Sequence, residues 1–333
     1  MQQFLKKLLQ FIIIGLTPVI ALFVLYLITD PFKTLRTYSG FSNYRVTPNT
    51  EYISFETFRY HYPSEHYNSF IFGSSRTKAF KTASWKKYLD STARPFIFNA
   101  SAESLNGIYQ KIHFLDNNHY PIKNALIILC PDYLFYDAEH KEGYLFVKNP
   151  ALNGESKLKY QFQFFKAFMN PVFLSSYIPY LATKQYRPYM HGYIENRTVL
   201  IDSITNEIVF KEVEDELKEN PDKYYAERKD LFYERNGETR DSVSYINKEN
   251  EATFLKIRNI LEKNHTNYKV VISPLYYEIK FNIKDQQILE NIFGAHLYDF
   301  SGKNEFSESR FNFYESSHYR QNVGDKILEE IYK

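Results

Sequence analysis

The sequence is poor in the residues that build metal and redox centres. It has a single cysteine, Cys130, in 333 residues. No intrachain disulfide can form, and a cysteine-based zinc site is excluded. Cys130 closes the apolar run Ala125 to Leu129, which predicts a buried core thiol. None of the nine histidines falls in a His-Glu-x-x-His pair, which argues against a zinc hydrolase. No Gly-x4-Gly-Lys segment exists, so a phosphate loop is excluded. The net charge is +2, and no basic block is long enough to suggest nucleic-acid binding. Internal repeats and low-complexity tracts are absent. Aromatic side chains are plentiful, and this is read as a compositional bias, not a sugar-stacking surface.

A long hydrophobic run is present. Residues Phe11 to Thr29 contain no charge. At the helical rise they span about 28 Å, close to the hydrocarbon thickness of a bilayer. Lys6 and Lys7 precede the run. Its exit, Thr29-Asp30-Pro31-Phe32, lacks the small-x-small site of a cleaved signal peptide. The expectation is one uncleaved single-pass anchor in the inner (cytoplasmic) membrane. Under the positive-inside rule its N-terminus is cytoplasmic, leaving about 300 residues outside the cytoplasm. Lys33 and Arg36 on the other side oppose that bias. Pro18 is tolerated in such a helix.

Beyond the anchor (1–30) the reading is a connector (31–67) without clear period, then an α/β domain (68–333). Strand Phe70–Phe72 leads to a helix over Thr77–Leu89. Strand Pro95–Asn99 leads to a helix from about Glu103 to Asn117. Ala125–Cys130 reads as a strand buried on both faces of a parallel sheet. Strands alternating with helices predict βαβ units. The rhythm then breaks in an insertion at about 133–248, expected to form a lid or substrate-facing subdomain. It holds helices near Lys157–Met169 and Phe173–Tyr186, a hairpin over Thr198–Phe210 and a charged helix broken at Pro221. The rhythm returns with helix Glu249–Lys263, strand Tyr268–Ser273, helix Lys284–Phe293, strand His296–Asp299 and a last helix over Asn322–Tyr332.

Chemistry-bearing residues gather at two points. The first is Gly73-Ser74-Ser75-Arg76-Thr77. A strand turning sharply into a helix presents a side chain at the carboxyl edge of a sheet, where open α/β folds hold ligands. Ser75 is therefore a candidate nucleophile; the alternative is a serine that caps the next helix. The segment lacks the second glycine of a Gly-x-Ser-x-Gly elbow. The second point is Glu315-Ser316-Ser317-His318, where a carboxylate three residues away can reach the imidazole. It would fix the tautomer and leave Nε2 to take a serine proton. The alternative is a solvent-facing histidine. Arg76 either holds a carboxylate or sugar near the nucleophile or pairs with an acid such as Asp132. Asn99 is expected to tie loops together. Tyr319 and Arg320 are candidates for the pocket mouth.

A serine directly after the first strand, with a carboxylate-x-x-His just before the last helix, resembles the SGNH/GDSL hydrolase family. The resemblance covers about residues 68–132 and 249–333. It implies a flavodoxin-like three-layer α/β/α fold with a parallel sheet. It implies Ser75 as nucleophile, His318 as base and Glu315 as its orienting carboxylate. Ser101 falls where the family has an oxyanion-hole glycine, and Asp132 roughly where it has an asparagine; Asn99 and Arg76 join them as oxyanion- or substrate-binding candidates. Three positions depart from the pattern: Ser74 for Asp, Glu315 for Asp and Asp132 for Asn. An ionised Asp132 would repel a developing oxyanion. The anchor, the Gly-Ser-Ser-Arg block and the insertion are similar to membrane-anchored extracytoplasmic members. These include the subunits that work with membrane-bound O-acyltransferases on alginate, and the D-alanylation protein of the teichoic-acid pathway. The implied function is a serine O-acyltransferase or esterase acting on a cell-envelope glycan, without metal or organic cofactor. A membrane-bound O-acyltransferase is the implied partner. The alternative is a non-enzymatic glycan-binding or assembly subunit beside that partner.

Overall fold

Short, continuously apolar runs dictate the centre of the molecule. A computed structural model describes residues 2–42, 44–135, 143–235 and 237–333. The central sheet has five strands: β1 (Ser69–Gly73), β2 (Pro95–Asn99), β3 (Asn124–Leu129), β4 (Asn267–Ile272) and β5 (Leu297–Asp299). All neighbouring pairs are parallel, and the spatial order is 2-1-3-4-5. Side chains alternate across the sheet, as the strand period requires. Phe70, Phe72, Phe96 and Phe98 enter one core, and Ile71 and Ile97 enter the other. Helices cover both faces. On the first lie α1 (Thr50–Glu65), α2 (Leu105–Asn117), α3 (Lys248–Lys263) and α4 (Ile283–Phe293). On the second lie Trp85 and α5 (Gln321–Ile331). The protein is therefore a mixed α/β fold, as its βα rhythm predicts.

Two local expectations are corrected. The segment after β1 is not a helix from Thr77 to Leu89. It is a 3-10 turn, Ser75–Ala79, followed by the short helix Thr82–Lys86. The backbone is extended at Phe80 and Lys81, which sends the Phe80 and Trp85 rings fully into the core. α5 crosses tightly at this break: a Cβ on Gly324 would come within 2.2 Å of the Ala79 carbonyl oxygen. The second correction is the connector, which contains α1. The buried face of α1 mixes Tyr52, Ile53, Phe55 and Phe58 with Glu51, Ser54 and Thr57, so no apolar period shows.

The N-terminal helix runs Gln2–Thr29 with Pro18 inside it. It is long and apolar enough to cross a membrane, and only 6% of its most apolar window is buried. A core helix of this length would be covered. The insertion has two parts. Helices Lys157–Phe168 and Pro171–Thr183 pack with the connector and the end of the N-terminal helix in one aromatic cluster. Strand Ile194–Ile201 pairs with Ile208–Val209 in a hairpin and with Tyr44–Val46 of the connector. Helices Lys211–Glu219 and Pro221–Glu227 instead pack through Leu217, Tyr224 and Tyr225 against Tyr314. Residues 136–142 of the insertion lie outside the described residues.

Candidate active site

The strand order reverses at β1, whose chain successor β2 lies on one side and β3 on the other. In open sheets the crevice beyond the carboxyl ends at such a switch point is where ligands bind. Ser75 follows β1, Ser101 follows β2 and Asp132 follows β3, so three of the expected residues reach one edge.

Gly73 makes the turn out of β1. Its φ is +144°, and a Cβ there would lie 2.5 Å from the Ile128 carbonyl oxygen, so β1 and β3 close on a residue without a side chain. The Thr77 hydroxyl donates to the Ser74 carbonyl (2.8 Å). Asn99, buried, donates from Nδ2 to the Thr77 hydroxyl (2.8 Å) and is met at Oδ1 by Asn206 Nδ2 (3.3 Å). Asn99 thus ties the Ser75 turn to the insertion hairpin. Cys130 is buried, with its sulfur 2.9 Å from the Ser74 hydroxyl.

The partner residues arrive on a β-hairpin. Phe313–Glu315 pairs antiparallel with His318–Tyr319, which sets Glu315 directly opposite His318. The Glu315 carboxylate accepts from His318 through Nδ1 and from the Ser317 N–H (2.6 Å). His318 Nε2 then lies 2.7 Å from Ser75 Oγ, across 243 residues of chain. Burial raises the Glu315 pKa, but the His318 contact and the Ser317 hydrogen bonds outweigh it and hold it below its ordinary 4.5. The carboxylate therefore stays ionised beside the imidazole. A serine oxygen, an imidazole and a carboxylate in this chain can move a proton off the serine as it attacks an electrophilic carbon.

Arg76 takes the second of its two expected roles. Its guanidinium is buried and grips Asp132 with two parallel bonds of 2.5 and 2.7 Å. Its Nε donates to the Ser317 carbonyl (3.0 Å). The residue next to Ser75 thus holds the residue next to His318. The paired Asp132 has its charge met by Arg76 instead of facing the serine unopposed. Ser101, half-buried, sets its hydroxyl 2.9 Å from that of Thr50. Tyr319 is buried and its hydroxyl lies 3.4 Å from Ser273 Oγ, so it belongs to the core and not to a pocket mouth. Arg320 pairs with Glu214 of the insertion (2.7 Å).

Several neighbours had no legible signal. Lys78, on the same turn as Ser75, is half-buried; burial lowers its pKa while Glu195 and Glu315 pull it back. Tyr277 hydrogen-bonds Asp132, and burial followed by that carboxylate raises its pKa. Behind the Ser101 loop lies a buried four-charge cluster. Glu103 bonds Lys111 and Lys148, and Glu51 Oε2 lies 2.9 Å from Lys111 Nζ. A Cβ on Gly107 would collide with the Glu103 carboxylate and the Lys148 amine, so a side chain there would displace these charged ends. Among the described residues no cluster of histidine, cysteine and carboxylate side chains could hold a metal ion. No family model matches the chain, and no curated protein matches it.

Proposed function

We propose that the protein is a membrane-anchored serine O-acyltransferase or esterase of the SGNH type, acting on a cell-envelope polysaccharide. The observation that carries this reading is the hydrogen-bonded line Ser75–His318–Glu315 at the switch point of a 2-1-3-4-5 sheet. Ser75 Oγ attacks the acyl carbonyl while His318 Nε2 takes its proton. The tetrahedral intermediate collapses, His318 returns the proton to the departing oxygen, and an acyl group remains on Ser75. A glycan hydroxyl or water, deprotonated by His318, then attacks that ester and frees the serine. Glu315 orients the imidazole and balances its charge. The backbone N–H groups of Ser75 and Ser101 are assigned to the oxyanion. The N-terminal helix is assigned to the inner membrane with its N-terminus cytoplasmic, which places the site on the extracytoplasmic side. A membrane-bound O-acyltransferase is the natural acyl source for transfer over hydrolysis.

One observation favours the second reading, a glycan-binding or assembly subunit. Asp132 stands where the family carries an amide donor, and both its oxygens are taken by Arg76. A serine-reactive phosphonate separates the two. Wild-type protein is expected to label at Ser75, Ser75→Ala not at all, and His318→Ala at least about 100-fold more slowly. The enzymatic reading falls if folded wild type does not label and Ser75→Ala retains full function in cells.

A further inference from the structure

Helices Lys157–Phe168 and Pro171–Thr183 of the insertion pack in the cluster at the end of the N-terminal helix. They descend along that helix. Gln161 donates from Nε2 to the Thr34 carbonyl (3.0 Å), beyond the end of that helix. One turn further on, the Phe165 ring lies 5.4 Å from Tyr26 and 5.5 Å from Phe23. Phe23 stands six residues before Thr29, about 9 Å back along the helix axis at the helical rise. An element of the globular part therefore touches the apolar run well inside its end.

The surface around this contact has a particular composition. Between Lys157 and Ile194 there are five basic side chains, Lys157, Lys159, Lys166, Lys184 and Arg187, and no acidic one. Helix Pro171–Thr183 contains no charge at all, and Tyr177 on it hydrogen-bonds Thr29. Its outward face holds Val172 and Ile178, 57% and 43% exposed, and Phe162 on the preceding helix is 59% exposed. Apolar side chains on a helix beside a membrane span, flanked by cations and tyrosines, suit the headgroup boundary of a bilayer. Rings and aliphatic chains enter the acyl region there, and lysines extend back to the phosphates.

We infer that helices Lys157–Phe168 and Pro171–Thr183 form a second membrane contact. This face embeds in the leaflet from which the anchor emerges and prefers anionic headgroups. The inference rests on the reading of Gln2–Thr29 as a membrane span. The occupant is lipid because the face is continuous with that span and its charge is net positive even though Lys159 pairs with Glu155 (2.8 Å).

The test uses the full chain in nanodiscs whose lipids carry bromine near the glycerol end of the acyl chains, which quenches nearby tryptophan. Trp85 is buried and common to all variants. Single variants Ile14→Trp, Phe162→Trp, Val172→Trp and Ile283→Trp report on the anchor, the two proposed contacts and an exposed site on α4. In phosphatidylglycerol discs, tryptophan at 162 and 172 is expected to be quenched about twofold or more above that at 283. Quenching at 162 and 172 is expected to fall in all-phosphatidylcholine discs, and in phosphatidylglycerol discs when Lys166→Glu and Lys184→Glu are added. Tryptophan at 14 quenched with 162 and 172 at the level of 283 overturns the inference, whatever protein covers the face instead. Tryptophan at 14 left unquenched overturns the anchor itself. Quenching at 162 and 172 that is equal in both lipids overturns the anionic preference.

Discussion

Glu315 is the carboxylate that meets His318. Its folded pKa is depressed below 4.5. A depressed carboxylate contributes stability that is fully present above the unfolded value and lost as pH falls through the folded one. Wild type is therefore expected to melt higher than Glu315→Gln at pH 7, with the gap closing below about pH 4. Thermal melts of both proteins across that range check it; a gap that stays constant to acid pH refutes it. The same variant is expected to lose phosphonate labelling even at pH 7, because a neutral amide holds the wrong tautomer at least part of the time. Most of this site was legible in the residues. Ser75, Glu315 and His318 carry distinctive chemistry at distinctive positions. Lys78, Thr77 and Asn206 were not, because nothing in a lysine, threonine or asparagine announces which strand end it will meet.

At the scale of elements, the sheet was the readable part. β1, β2 and β3 are buried nearly throughout, so they appear as short apolar runs, and the strand bounds came within one residue. α1 was unreadable for the opposite reason. Glu51 faces inward, toward Lys111, and an inward carboxylate erases the amphipathic period. That charge cluster joins α1, the Ser101 loop, α2 and the start of the insertion. Lys111 has no exposed surface, and Glu103 is equally covered. Lys111→Met leaves Glu51 and Glu103 to share Lys148, and is expected to cost about 3–5 kcal/mol in denaturant unfolding. The double variant Glu51→Gln, Lys111→Met removes one charge of each sign, leaves Glu103 paired with Lys148, and is expected to recover part of that loss. A single variant as stable as wild type would show that the cluster is not a closed ion network.

At the scale of the whole molecule, the insertion divides its work. Its earlier helices pack on the end of the N-terminal helix, and its later ones pack on the hairpin of Glu315 and His318. Tyr224 and Tyr225 donate hydroxyls to the carbonyls of Tyr314 (3.0 Å) and Phe313 (2.9 Å), and Glu214 accepts from Tyr314 (2.6 Å) and Arg320. These bonds hold the hairpin that carries Glu315 and His318. The expected lid is thus, in its later part, a buttress. Replacing both tyrosines by phenylalanine removes two hydrogen bonds and keeps the rings. Faster amide exchange over residues 313–319 is expected, with labelling of Ser75 slowed about tenfold and a melting temperature changed by only a few degrees. Unaltered exchange in that hairpin would assign the tyrosines to packing alone. Sequence could not separate these roles, because both halves of the insertion are rich in tyrosine and phenylalanine and only their contacts differ.

The join after Thr29 has a consequence of its own. Asp30 is buried and its carboxylate accepts from the N–H groups of Thr34 and Leu35 and the hydroxyl of Tyr38. A catalyst on a slack tether sweeps a hemisphere and meets substrates at many heights. Under the proposed function, a site buttoned at Asp30 and braced by Phe165 would work at one altitude above the bilayer, like a tool on a rigid post. On that proposal a polymer would have to be threaded past Ser75 at that level, and distance from the membrane would become a selector of which units along it are reached.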